Sequence, residues 1–289
     1  MTDASYTIRT MTRAEVDGTL DRAAAQGWNP GLSDALPFHV ADPAGFLAGV
    51  HDGRAVASLS AVRYGHRFGF IGLYIVDPAA RGRGYGWALW QAGMARLEGA
   101  VIGLDGVVER QDDYRACGFE TAHRNIRYRA APGGVPGVPD GTILEGITLA
   151  DARTVPFDAL LDLDAAVFPA RRAGFLAAWL TMPGTTALAA VRDGRAVGFG
   201  AVRPCREGAK IGPLVAPDAA VAARLLAALA AAAGDGPLFL DVPEVNRPAV
   251  ALAEGLGMRP MFETARMYRG PAPALALERV FGITTFELG

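Results

Sequence analysis

The sequence predicts a mixed α/β protein in which one fold occurs twice in tandem, and three observations carry that prediction. A fourteen-residue pattern at positions 50–63 returns at 191–203. A Pro/Gly-rich stretch separates the two copies, and within each copy short apolar runs alternate with amphipathic segments.

The repeat sets the order of elements. Val50-His-Asp-Gly-Arg-Ala-Val-Ala-Ser-Leu-Ser-Ala-Val-Arg63 reappears, one residue shorter, as Val191-Arg-Asp-Gly-Arg-Ala-Val-Gly-Phe-Gly-Ala-Val-Arg203. In both, Asp-Gly marks the turn of a hairpin between apolar strands. Ile-Gly follows at 71–72 and 211–212, then Leu-Asp at 104–105 and 240–241. Gly118-Phe119 pairs with Gly257-Met258, and Arg127-Tyr128-Arg129 with Arg266-Met267-Tyr268-Arg269. Between the copies, Pro132 to Gly141 is too rich in proline and glycine for a helix or central strand and reads as a linker. The expected domains are 5–131 and 142–289. Each copy should run from helices through a hairpin to a strand and helix, then a further strand, a helix, and a closing strand or hairpin.

The densest chemical signal lies in the first copy. Phe70 to Val76 (FIGLYIV) reads as a buried strand that Pro78 ends, and Trp87, Trp90, Met94 and Leu97 mark one apolar face of a following helix. Between them runs Arg81-Gly-Arg-Gly-Tyr-Gly86. Its glycines let the backbone turn N–H groups to a common point, and the first turn of the helix adds unpaired donors and partial positive charge. Such a loop suits a phosphate ligand, and Arg81 and Arg83 reinforce the sign. It has neither the Gly-Lys-Ser/Thr of a nucleotide triphosphate loop nor the spacing of a dinucleotide fingerprint.

The string Val-x-Pro-x-x-Arg-Gly-x-Gly-x-Gly resembles the pyrophosphate loop of the GNAT superfamily of N-acetyltransferases, with Arg81, Gly84 and Gly86 at the family's Gln/Arg-x-x-Gly-x-Gly/Ala positions. Tyr114-Arg-Ala-Cys-Gly118-Phe119 resembles the family's Tyr-x-x-x-Gly-Phe element. The resemblance implies a splayed, mostly antiparallel sheet flanked by helices in each domain. It also implies acetyl-CoA as cosubstrate, and direct attack of an amine on the thioester. Tyr114 would be the general acid toward the departing thiolate, since a phenol is mostly protonated at neutral pH. Tyr74, seven residues before Arg81, would hold the acetyl carbonyl. The cosubstrate would lie along Tyr74, Ile75 and Val76, with its pyrophosphate on Arg81, Gly82, Arg83, Gly84, Tyr85, Gly86 and Trp87. The family's acceptor loop corresponds to Gly27-Trp-Asn-Pro-Gly31 and Phe38-His39, which makes Trp28, Asn29, Phe38 and His39 the substrate candidates. Some members carry a glutamate base on the strand before the loop. Here that position is Phe70, leaving His66, His39 or a water chain as bases. A group of tandem GNAT proteins also shares the Gly-Trp-Asn-Pro-Gly loop and a final Phe-Gly-Ile-Thr-x-Phe-Glu segment, here Phe281 to Glu287.

The second copy has not kept this chemistry. Pro217-Asp-Ala-Ala-Val-Ala-Ala-Arg224 replaces the glycine loop, with Asp218 placed to repel phosphate, and Ala253 stands where Tyr114 would. Arg224 and the helix start could still hold an anion. Asp105 has a counterpart, Asp241, in the copy that lost loop and tyrosine, which favours a structural role for both.

Composition bounds the partners. The 289 residues are 51% hydrophobic with formal charge −2 and no basic tract, so nucleic acid is not expected. Two cysteines and four scattered histidines give no metal-ligand spacing and no disulfide framework. With no signal-like block in residues 1–16, and an Ala219–Ala233 run too short to cross a bilayer, a cytoplasmic protein without membrane contact is expected. The leading function is acetyl transfer to an amine of a small molecule. A non-catalytic acetyl-CoA sensor and a peptide or protein acetyltransferase remain open, as does a monomer or homodimer.

Overall fold

The structure, a computed structural model, describes residues 5–133 and 146–289. In the first half β1 (Tyr6–Thr10) leads through α1 (Arg13–Ala25) and α2 (Ala35–Ala41) to β2 (Phe46–His51), β3 (Arg54–Tyr64) and β4 (Phe68–Val76). Helix α3 (Tyr85–Arg96) crosses to β5 (Val101–Val107), and α4 (Gln111–Ala116) leads to β6 (Glu120–Ala130). The second half repeats the order with β7 (Ile147–Asp151), α5 (Phe157–Val167), α6 (Ala173–Thr181), β8 (Thr186–Arg192), β9 (Arg195–Pro204) and β10 (Ala209–Val215). It continues through α7 (Ala219–Ala231), β11 (Leu238–Pro243), α8 (Arg247–Gly255) and β12 (Arg259–Arg269) to a short β13 (Val280–Gly282). Of the expected linker, 134–141 lies outside the described residues.

Both Asp-Gly hairpins form as the sequence predicts. Asp52 and Gly53, and again Asp193 and Gly194, have positive φ at both turn positions, the backbone a tight hairpin requires. The sheet is antiparallel except where β4 runs parallel to β5 and β10 to β11. Those two parallel pairs share one register: Ile71 lies opposite Leu104, and Ile211 opposite Leu240.

The halves are joined by strand exchange, which the repeat did not reveal. The strand order is β1-β2-β3-β4-β5-β12-β6-β11-β10-β9-β8-β7, with β13 alongside β10. The last long strand of each half thus completes the sheet of the other. Two buried ion pairs lie across the exchange. Arg266 on β12 donates from Nε and Nη2 to Asp105 on β5 at 3.0 and 2.8 Å, and Arg127 on β6 donates to Asp241 on β11 at 2.6 and 2.7 Å. The repeated Leu-Asp and Arg motifs are therefore reciprocal, each aspartate neutralised by the other half's arginine. Asn125 Nδ2 adds a third hydrogen bond to Asp105 at 2.9 Å. This satisfies the structural reading of both aspartates, because a buried carboxylate persists only when paired.

One hydrophobic cluster also spans the halves, taking Leu20 and Phe38 from the first and Leu160, Phe175 and Trp179 from the second. Phe38 is fully buried and stacks on Trp179 at 6.2 Å. A separate cluster lies under α3, with Leu89, Trp90 and Leu97, and another under α7 and α8. Trp87 departs from the predicted apolar face: it is 56% exposed. Leu89 and Gly93 face the sheet instead; Trp87, two residues before Leu89, is about 200° away around the helix.

Candidate active site

The site opens where two parallel strands part. β4 and β5 pair only from Phe68 to Ile71, so the β4 edge from Gly72 to Val76 is free of β5. A bulge between Ser58 and Ser60 of the β3 pairing coincides with Leu73 at φ +48°, and Ser58 Oγ donates to Leu73 O at 2.9 Å to hold it. The bulge bends β4 away from its neighbour. A cleft of about 950 Å³ fills the gap, lined by Tyr74, Ile75, Val76, the glycine loop apart from Arg83, and Trp87, Trp90, Asp105 and Tyr114.

At one end of this cleft α3 begins without a side-chain cap. Gly84 is its N-cap at φ +79°, Gly82 sits at φ +78°, and the first helical bond runs from Ala88 N to Gly84 O. The N–H groups of Gly86 and Trp87 therefore lack an acceptor within the helix. Arg81 Nε donates to Val76 O at 3.1 Å, tying the loop to the end of β4. Gly86 serves packing: a Cβ there would lie 2.8 Å from Tyr74 Oη and 2.9 Å from Val76 Cγ2. The Tyr85 side chain is buried and stacks on Tyr6, ring centroids 4.3 Å apart.

Tyr114 and Tyr74 flank Trp90 at 5.5 and 5.6 Å. Gly106 leaves room for the Tyr114 ring, since a Cβ there would stand 3.0 Å from Cδ2. The Tyr114 hydroxyl makes no hydrogen bond to any described residue. Burial raises its pKa well above the ordinary phenol value, and burial likewise pushes Tyr74 up to about 12. Both side chains are neutral donors at physiological pH.

The acceptor expectations fare unequally. Trp28 lines the cleft, and its carbonyl accepts from Arg127 Nη1 at 2.6 Å. Asn29 does not line it: its side chain is committed to the main chain of Glu207, at 3.0 and 2.8 Å, and so fastens the loop to the second half. Phe38 is core, as described above, and His39 on α2 is not among the lining residues. His66 is exposed on the β3–β4 turn, at the opposite end of β4 from the cleft. In their place the structure brings Gln26, Phe262, Thr264, Phe286 and Glu287 to the cleft wall. Phe262 and Thr264 arrive on the exchanged strand β12, and Phe286 and Glu287 on the C-terminal tail. Only the tail had a sequence signal, the Phe281–Glu287 motif.

The second half builds the same cleft and fills it. β13 pairs with β10 beyond the point where β10 leaves β11, and Ile283 N donates to Asp241 O at 2.9 Å, so the tail occupies the gap as an extra strand. Helix α7 is capped by its own Asp218, whose side chain accepts from Val221 N at 2.9 Å, and Ala253 is fully buried. Among the described residues no cluster of three His, Cys, Asp or Glu side chains forms a metal site, and no helix is long and apolar enough to cross a membrane.

Two family models match this chain and between them take in most of it: acetyltransferase (GNAT) family over residues 13–119 and acetyltransferase (GNAT) domain over 160–282. The chain belongs to the GNAT superfamily, with two GNAT domains in tandem, and is an acetyltransferase of the GNAT type. It is 29% identical over 268 residues to holothin acyltransferase of Pseudoalteromonas sp. (strain SANK 73390), covering 92% of this chain and 89% of that one. Its fold is similar to that of a putative acetyltransferase from Pyrococcus horikoshii, with TM-score 0.81, 21% identity, and 100% and 98% of the two chains covered. It is also similar to a tandem GNAT protein from the clavulanic acid biosynthesis pathway, with TM-score 0.63, 17% identity, and 93% and 100% covered.

Proposed function

We propose that the protein transfers the acetyl group of acetyl-CoA to an amine of a small molecule, at a single active site in the first half. One observation carries the reading. The uncapped, glycine-led start of α3, the unpaired edge of β4 and the Tyr114 hydroxyl share one cleft, whereas the matching cleft is plugged by the tail and its helix capped by Asp218. The open cleft fits acetyl-CoA. The N–H groups of Gly86 and Trp87 and the positive loop suit its pyrophosphate, and the β4 edge at Tyr74, Ile75 and Val76, unpaired by β5, suits its amide-bearing arm and acetyl carbonyl.

The bound thioester supplies an activated acetyl group. Tyr114 then donates its proton to the departing sulfur, a role that requires a phenol still protonated at the working pH. The small-molecule acceptor is supported by the aromatic side chains of Trp28, Phe262 and Phe286 that line the cleft, and by the relative named for holothin. Tyr114→Phe tests the assignment. Thiol release should fall by about 10²- to 10⁴-fold while acetyl-CoA affinity by calorimetry stays within twofold. Undiminished turnover would remove Tyr114 from the chemistry, and two equal acetyl-CoA sites per chain would refute the asymmetry.

A further inference from the structure

The tail that plugs the second cleft continues into the first. Its path is fixed by two glycines that the sequence repeats. A Cβ at Gly212 would collide with the carbonyls of Ile283 and Thr284, and one at Gly72 would collide with the carbonyl of Glu287. Segment 283–287 therefore bridges the two equivalent Ile-Gly corners, running from the point where β10 leaves β11 to the point where β4 leaves β5. Its anchors are buried. Arg172, paired with Asp164 at 2.9 Å through both nitrogens, donates to Thr284 Oγ1 at 2.7 Å and to Gly289 O at 2.9 Å, and Tyr64 Oη donates to Leu288 O at 3.2 Å.

This route delivers one carboxylate to the cleft. Glu287 is 3% exposed and lines the same cleft as Tyr74 and Tyr114. Its main chain abuts Gly72, two residues before Tyr74. A buried carboxylate ordinarily uses its lone pairs on fixed donors or a cation. Here Oε2 accepts from Thr285 Oγ1, while Oε1 accepts from no described residue. Nor does Glu287 form an ion pair among the described residues; the nearby Arg127 and Arg203 are paired bidentately with Asp241 and Asp34, with Arg203 Nη1 left without a partner. Lys210 donates to Asn29 O at 3.0 Å and stands 3.9 Å from Asp241. Glu287 thus keeps an open acceptor oxygen in a residue that lines a cleft shared with the aromatic Trp28, Phe262 and Phe286.

We propose that Glu287 is the general base: it binds the ammonium of an acceptor with a flat or apolar body and removes its proton. The proposal rests on the amine-transfer reading above. The acceptor enters as R–NH3+, and Glu287 takes one proton, which passes to solvent. The freed lone pair forms the C–N bond to the acetyl carbon as the C–S bond breaks, and sulfur takes the Tyr114 proton. The second nitrogen proton, shed as the amide forms, restores the phenol through solvent. The products are the amide, the free thiol of coenzyme A and one proton.

Two probe amines separate this role from a structural one. Tryptamine carries an aliphatic ammonium that must lose a proton before attack, whereas aniline is already neutral near pH 7. In Glu287→Gln, kcat/KM for tryptamine should fall about 10²- to 10⁴-fold, that for aniline less than tenfold, and the acetyl-CoA Kd should stay within twofold. Because Gln removes a charge from a buried cationic neighbourhood, Glu287→Asp serves as the second variant. It keeps the charge but withdraws the carboxylate by one methylene, and should show the same split between amines with an unchanged melting curve. In Glu287→Ala, added formate should restore tryptamine turnover. Equal losses for both amines, no loss for either, or wild-type protein that binds acetyl-CoA yet acetylates neither amine would overturn the proposal. Failure of the wild type to bind acetyl-CoA would instead overturn the cosubstrate assignment.

Discussion

Arg266→Met is the sharpest test of how the two halves are held together. The change leaves Asp105, whose side chain is fully buried, with Asn125 Nδ2 as its one remaining donor of three. Removing one partner of a buried ion pair costs about 3–5 kcal/mol, and for a chain of this size each kcal/mol lowers Tm by about 2–3 °C. The expected drop is roughly 6–15 °C by calorimetric or circular-dichroism melting. Asp105→Leu should cost a similar amount by stranding Arg266. Combining Asp105→Leu with Arg266→Met should be milder than the two single costs added, with a coupling of at least about 2 kcal/mol. A residual penalty of about 1–3 kcal/mol should remain from Asn125 Nδ2, which loses its acceptor. Additive single effects, or an Arg266→Met protein melting within about 2 °C of wild type, would refute the claim that this pair fastens the exchanged strand. An Asp105→Asn protein of native stability but no turnover would move Asp105 from structure into chemistry.

Three further outcomes are expected. Gly84→Val places a β-branched residue at φ +79°, straining the start of α3, and should weaken acetyl-CoA binding by at least about tenfold in calorimetry; an unchanged Kd would detach the loop from the cosubstrate. Burial first, and then the nearby Arg266, holds His123 down to about 4 from 6.5. The folded state therefore binds fewer protons than the unfolded one in this window, and the stabilisation is present above pH 6.5 and lost as pH falls toward 4. His123→Phe should flatten that acid limb by up to about 3 kcal/mol, and parallel stability–pH curves for wild type and variant would contradict this. Residues 5–133 expressed alone should aggregate rather than fold, because β5 and β6 would lack β12 and Asp105 would lack Arg266; a soluble, cooperatively melting fragment would show the halves to be independent.

Much of the fold was legible because its signals are local. Asp-Gly turns, the FIGLYIV run and the glycine loop each specify their own backbone, and two copies of each pattern announced the tandem arrangement. The end of the cleft formed by β4, the glycine loop and α3 was legible for the same reason, since strand, loop and helix adjoin one another in the chain. The opposite wall was not. Asn29 and Phe38 sit in a loop and helix of the expected kind, yet the second half claims both, one through Glu207 and the other through Trp179. Trp87 followed the helical spacing but lay on the wrong side of α3.

The sequence by itself determined the repeat, the strand types, and the loss of loop and tyrosine in the second copy, because each is written in contiguous residues. Only the tertiary structure decided which copy β6 and β12 would complete, and where Glu287 would stand. Both halves carry the same Leu-Asp and Arg motifs, so each closing strand has an equivalent partner in either half, and the local pattern is the same whether or not the strands exchange. The tail carboxylate, likewise, gains its position from the collisions that Gly72 and Gly212 avoid, a long-range fit with no local pattern to announce it.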